Sequence, residues 1–149
     1  MSRERAKPAK STPVPSGAEI GVQTHSLKAV LAAKPGAVAE PVSAPRGVQP
    51  IALMYKVMGK LFAILSVRRE EYVILKCDPH LAEVLREKYA GIGHSSHLDR
   101  RHWISVSLGA DVPEDEIARL AAESYALVCA SLTRKQRAAL EALRAHRKS

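Results

Sequence analysis

The sequence predicts an α+β domain: an antiparallel sheet of about four strands with its helices packed on one face. Two observations predict this class. Three short runs with strand-like alternation follow one another across residues 51–77, with only brief turns between them, which is typical of an antiparallel meander. One helical segment precedes this run, and two more follow a fourth strand, so the strands are not interleaved one by one with helices as in α/β folds.

The strands are predicted from alternating apolar positions. They cover residues 51–57, 61–67, 72–77 and 102–108. Met58-Gly59 marks a tight turn between the first two. In the last strand Ile104 and Val106 share the apolar side, and Trp103 lies on the other side together with two serines.

The helices are predicted from start and stop signals, and they begin near Ser26, Asp78, Asp111 and Thr133. Asp78 precedes a proline that suits the first helical position, and Thr133 forms a capping box with Gln136. The first helix runs to about residue 34 and ends at Pro35-Gly36. We expect residues 35–50, which hold four prolines, to be irregular, and we expect a polar loop over residues 94–101.

Composition divides the chain into three parts. Residues 1–23 are rich in Lys, Arg, Pro, Ser and Gly, which predicts a disordered basic tail. Residues 24–145 form the single predicted domain. The last four residues, 146–149, are expected to fray.

The chain is basic, and its charge is unevenly placed. It has 23 Lys and Arg against 15 Asp and Glu among 149 residues, a net charge of +8. Residues 1–50 carry a surplus of +4 and residues 133–149 one of +5, whereas residues 51–132 sum to −1. A basic chain favours an anionic partner such as nucleic acid. Basic ends that serve only as solubilising tails are the alternative.

Composition and motifs exclude several classes of protein. No run of about 18 apolar residues exists, so no membrane span is predicted. Cys77 and Cys129 form no metal-binding spacing, and we expect both to be buried free thiols in a cytoplasmic protein. No nucleotide-binding or catalytic motif is present, so we predict neither an enzyme nor a cofactor.

The most concentrated polar segment is residues 94–103, with sequence HSSHLDRRHW. Its histidines permit a metal site or a catalytic histidine as alternatives, but a strand entry points His97 and His102 apart, so no metal is predicted. Arg100 and Arg101 beside an indole suit phosphate contacts, as do the lysines that bracket the Met58-Gly59 turn.

Four linked segments, in order along the chain, resemble the MmcQ/YjbR family. They are YKVMGKLFAIL at residues 55–65, LKCDP with the following LAEVLR within residues 75–86, HLDRRHW at residues 97–103, and SYALV with LTRK within residues 124–135. Three positions depart from the family pattern, and one of them is Ile104, which replaces a polar asparagine after Trp103. Met58 replaces the first glycine of a pair, and Asp99 stands where asparagine is frequent.

The resemblance implies a CyaY-like fold that has been described as a double-wing DNA-binding module. The wings would be the hairpin of residues 51–66 and the region of residues 94–105. The residues placed at the DNA by this reading are Lys56, Lys60, His97, Arg100, Arg101 and Trp103.

The function we predict from the sequence is weak binding of double-stranded DNA, mostly through phosphates. The alternative is a protein–protein interaction module that uses the open sheet face around Trp103, Ser105 and Ser107, with no role in nucleic-acid binding. A third possibility is a small-molecule or catalytic pocket that contains His97 and His102.

Overall fold

The computed structural model of the protein describes residues 22–43, 50–67, 70–94 and 98–148. In chain order its elements are α1 (Val22–Ala32), β1 (Ala37–Ser43), β2 (Pro50–Val57), β3 (Lys60–Ser66), β4 (Tyr72–Lys76), α2 (Pro79–Lys88), β5 (Ile92–His94), β6 (Trp103–Ser107), α3 (Glu114–Ala130) and α4 (Arg134–Lys148). The strands form one sheet in the order β1-β2-β3-β4-β6-β5, and every neighbouring pair is antiparallel. The α+β class and the antiparallel meander are therefore confirmed.

The described part of the sheet has six strands rather than four. β1 lies in the segment that was predicted to be irregular, and β5 ends at His94, the first residue of the predicted polar loop. β1 is an edge strand, exposed over most of its length, so its sequence shows no alternation, and an edge position tolerates Pro41. β5 has only three residues, and one of them is Gly93. A strand this short leaves no periodic signal.

The predicted helices are present, and their starts differ in detail. The Asp78 carboxylate accepts hydrogen bonds from the backbone N–H groups of residues 80 and 81, and the capping box of Thr133 and Gln136 is formed. α1 begins at Val22, so Ser26 lies inside the helix rather than at its cap, and the predicted tail, apart from residues 22 and 23, lies outside the described residues. The Asp111 carboxylate accepts hydrogen bonds from the backbone N–H groups of residues 90 and 91 and does not cap α3.

The core lies on one face of the sheet, under the helices. The register places Tyr55, Ala63, Leu75 and Ile104 side by side across four strands, and all four are buried. Each helix adds side chains to the same cluster, namely Leu27 and Leu31 from α1, Ala82 and Leu85 from α2, Ile117, Leu120, Ala121, Tyr125 and Val128 from α3, and Leu140 from α4. None of the described helices packs on the opposite face of the sheet, which we call the open face.

A β-bulge distorts the β2–β3 hairpin. Tyr55 pairs with Ala63 but Lys56 pairs with Leu61, so Phe62 is an extra residue in β3. Its ring is buried and packs edge-on against Tyr125 of α3, with the ring centroids 5.3 Å apart. The bulge therefore turns this side chain into the core.

Ser124 forms hydrogen bonds with two backbone groups beside the bulge. This serine of α3 is fully buried, and its hydroxyl donates to the carbonyl of Phe62 at 2.6 Å. The same oxygen accepts from the backbone N–H of Lys76 at 2.8 Å. One hydroxyl thus joins β3, β4 and α3, because a buried backbone group left without a partner costs free energy.

The hairpin turn itself uses left-handed backbone. Met58 has φ 50° and Gly59 has φ 81°, and positive φ at both central residues is the mark of a type I′ turn. Glycine adopts this geometry freely, whereas a methionine does so at a cost.

Candidate nucleic-acid interface

Antiparallel pairing brings the two predicted wings to one end of the sheet. Leu75 lies beside Ala63, so β4 ends next to the start of β3 and hence next to the hairpin turn. Lys76 pairs with Trp103, so β6 begins at that same end. The structure therefore gathers the hairpin lysines and the turn of residues 98–102 along one edge of the fold.

The hairpin lysines have partners within the fold. The Lys60 ammonium group donates to the carbonyl of Ser131, the C-cap residue of α3, at 2.8 Å. A cation is favourable at that position because the helix dipole is negative there. Lys56 lies on the open face and forms an ion pair with Glu40 of β1 at 3.0 Å. Both charges are thus partly satisfied inside the protein.

The turn of residues 98–102 is held by Asp99. One oxygen of its carboxylate accepts the backbone N–H of Arg101 at 2.9 Å, and the other lies 2.6 Å from Nδ1 of His102. These two hydrogen bonds, that of the Arg101 backbone first, lower the pKa of the Asp99 carboxyl. The side chains of Arg100 and Arg101 are exposed. The turn is fixed through its backbone, and its guanidinium groups remain at the surface.

Lys76 and Trp103 form a cross-strand pair on the open face. The Lys76 ammonium group lies 6.0 Å from the centroid of the indole ring, within the range of a cation–π contact. The contact orients the lysine without neutralising its charge. Sequence reasoning missed Lys76, because its neighbour across the strands is set by the register of β4 and β6.

Arg86 of α2 is a second basic residue that the sequence did not single out. Desolvation, followed by the charges of Arg86 and Arg100, lowers the pKa of His94 at the end of β5. Two guanidinium groups from different elements therefore act on the same imidazole. The only sequence signal was a basic residue in the last turn of a helix, which is common.

The open face also has an apolar row. Met54, Ile64 and Ile74 lie directly beside one another on β2, β3 and β4. Ile74 is only 6% exposed although it lies outside the main core cluster. A shallow cavity of about 400 Å³ borders it, lined also by Tyr72 and Ser105.

A metal site or a catalytic site in this segment would use His97 and His102. His97 lies outside the described residues, and His102 is hydrogen-bonded to the Asp99 carboxylate. Within the described ranges, no group of three or more His, Cys, Asp or Glu side chains is placed to hold a metal ion. Burial, followed by the charges of Glu123 and Asp78, raises the pKa of the Cys77 thiol to about 11, so this thiol stays protonated at neutral pH.

A search of the described helices for a membrane span finds none that is both long and apolar enough.

Comparison with known proteins identifies the family. The family model YjbR matches residues 32–127. The uncharacterized protein YjbR of Escherichia coli K12 is 37% identical over 75 residues, which cover 50% of this chain and 64% of that protein. The uncharacterized protein YbdF of Escherichia coli O157:H7 is 30% identical over 83 residues, which cover 55% of this chain and 68% of that protein.

A solved structure supports the same assignment. The crystal structure of protein DR2400 of Deinococcus radiodurans, a DUF419 domain, matches with a TM-score of 0.67 and 25% identity, over 78% of this chain and 86% of that one. The match to YjbR of strain K12 spans just under two thirds of that relative's length. The chain belongs to the YjbR family.

Proposed function

We propose that this YjbR-family protein binds double-stranded DNA weakly, mostly through phosphates, and that it is not an enzyme. The observation that carries the proposal is the basic end of the sheet. Arg100 and Arg101 are exposed there, next to the Lys76–Trp103 pair on the open face. Guanidinium groups on a fixed turn suit bidentate contacts to phosphate oxygens.

The spacing along this end of the sheet also fits a duplex. Lys56 on β2 and Trp103 on β6 are separated by three strand spacings, or about 14 Å. This is close to the width of the DNA major groove, about 12 Å. Lys56 and the arginines that precede Trp103 therefore suit phosphates on opposite sides of one groove.

Fluorescence anisotropy with a labelled duplex of random sequence tests the proposal. We expect binding by the full chain that falls steeply as salt is raised. The double variant Arg100→Ala/Arg101→Ala should lower the slope of log K against log salt by about 2, since each lost phosphate contact removes about 0.9. It should fold normally, because both side chains are exposed.

The matched control is Arg134→Ala/Lys135→Ala. It removes the same two charges from exposed, adjacent positions at the start of α4. Its slope should equal that of the wild type. A slope lowered by the α4 variant but not by the turn variant would place the DNA on the C-terminal helix and contradict the proposal.

The apolar row of Met54, Ile64 and Ile74 favours a second function, a protein-interaction module that uses the open sheet face. Such a face binds through apolar area, so its affinity would depend little on salt. Trp103→Ala would then abolish partner binding. Salt-sensitive DNA binding that is lost in the turn variant would favour the first function.

We place this activity in the cytoplasm. Cys77 and Cys129 are free in the structure, and unpaired buried or half-buried thiols are usual in a reducing compartment.

A further inference from the structure

A small cavity lies between α2 and the turn of residues 98–102. It has a volume of about 150 Å³ and is lined by Pro79, His80, Glu83, Arg86 and Arg101. Liquid water occupies about 30 Å³ per molecule, so the space suffices for a few waters or for one phosphate group. Four of the five lining side chains carry a polar or charged group, and the lining comes from two separate elements of the fold.

Arg86 is the unusual member of this lining. Its Nη1 atom is buried and has no hydrogen-bond partner in the described part of the chain. No ion pair with a described acid neutralises its guanidinium either. Buried donors in proteins are nearly always paired, and a charged donor left unpaired is costly.

The charges of the cavity lining favour an anion. Arg101 adds a second guanidinium group from the turn, and His80 adds an imidazole ring. The charges of Arg86 and Arg100 also act on the nearby His94. Glu83 also lines the cavity, and its exposed carboxylate opposes the binding of an anion.

We propose that this cavity binds a single phosphate group, held between the guanidinium groups of Arg86 and Arg101. The phosphate belongs either to a phosphomonoester or to the backbone of DNA, since both present the same anionic oxygens. In either case the bound oxygens accept hydrogen bonds from the two guanidinium groups. The site is separate from the Lys76–Trp103 pair, and its binding of free phosphate does not depend on the proposed DNA activity.

Isothermal titration calorimetry of the full chain with inorganic phosphate, at an ionic strength held constant with chloride, tests this site. Arg86→Gln should weaken phosphate binding by about tenfold, the usual worth of a charge-assisted contact. Glu83→Gln should strengthen it by about two- to fivefold, because it removes a nearby like charge. Glu83 is exposed, so this variant should keep the fold even if Arg86→Gln does not.

The control is Arg134→Gln, which removes one positive charge at an exposed position outside the cavity. It should leave phosphate affinity unchanged. Equal affinities of the wild type and Arg86→Gln, or of the wild type and Glu83→Gln, would overturn the proposal.

Two further ligands separate the sources of the phosphate. A nucleoside monophosphate tests a phosphomonoester, and a duplex with 5′-hydroxyl ends offers only backbone phosphates. If Arg86→Gln weakens the first alone, the site serves a small ligand. If it weakens both, the cavity also anchors DNA. Phosphate affinity should fall in Arg101→Ala, whose side chain lines the cavity, and stay unchanged in Arg100→Ala, whose side chain does not. An unchanged affinity in Arg101→Ala would overturn the proposal.

Discussion

The hairpin tip of residues 56–60 and the turn of residues 98–102 lie at the same end of the sheet, and each carries two basic side chains. They differ in what those charges contact. The Lys60 ammonium group donates a hydrogen bond to the end of α3, and Lys56 forms an ion pair with Glu40. The side chains of Arg100 and Arg101 are exposed. Of the two segments, only the turn has both of its basic side chains exposed.

The difference follows from how each segment is anchored. The hairpin is held by side chains: Phe62 packs into the core, and the amide of Gln136 at the start of α4 donates to the carbonyl of Met58 at 3.5 Å. The turn is held instead by the carboxylate of Asp99, which binds a backbone N–H and the neighbouring imidazole. Because Asp99 and His102 supply this anchor, the arginine side chains stay exposed.

A pair of basic residues at a turn is therefore weak evidence for DNA binding. In this fold the same sequence pattern serves stability at one turn and is available for binding at the other. The three predictions below test that division, from the largest expected effect to the smallest.

Ser124→Ala should have the largest effect, because it removes the hydroxyl that joins the hairpin bulge to β4. The carbonyl of Phe62 and the N–H of Lys76 would both lose their buried partner. We expect a loss of about 2–4 kcal/mol in the free energy of unfolding, measured by urea denaturation. The control is Ser107→Ala, at an exposed position of β6, which should change stability by less than about 0.5 kcal/mol. Similar values for both variants would show that the hairpin does not depend on this bond.

Lys60→Met should lower stability by about 1 kcal/mol, since it removes a charged hydrogen bond at a helix C-terminus. Lys56→Met breaks only a surface ion pair and should cost no more than about 0.5 kcal/mol. The salt dependence of DNA binding should be unchanged in the Lys60 variant. A slope lowered by about 1 with stability unchanged would instead make the hairpin a binding wing.

The parts of the fold that were predictable have local signals. The cap at Asp78, the capping box at Thr133 and the strand bounds within one residue all depend on neighbours in sequence. The edge strand β1 was not predictable in this way. Its pairing with β2 satisfies the backbone without burying a regular set of side chains, so the sequence pattern is absent.

The candidate site was less predictable than the fold, because its contacts are long-range. Lys60 and Ser131 are 71 residues apart, and no local sequence pattern predicts their hydrogen bond. Lys76 meets Trp103 only through the register of β4 and β6. Ser124 did carry a signal, as a polar residue in an otherwise apolar helical stripe, but its two partners depend on the bulge at Phe62.

Asp99→Asn should have the smallest effect and should act on the turn alone. The amide oxygen can still accept the backbone N–H of Arg101, so the turn is kept, while one negative charge beside the arginines is removed. We expect DNA affinity at low salt to rise by about two- to threefold, in anisotropy titrations, with the gain lost at high salt.

The same substitution changes how the free energy of unfolding depends on pH in the acid range. The pKa of Asp99 is lowered in the folded protein, so its contribution is present above its ordinary value near pH 4 and is lost as pH falls through the folded value. Asp99→Asn should remove this part of the acid dependence. Asp115→Asn, on the exposed first turn of α3, is the control for charge and should leave DNA affinity unchanged. If both variants bind as the wild type does, Arg100 and Arg101 do not face the phosphates, and the contrast between the two turns loses its functional meaning.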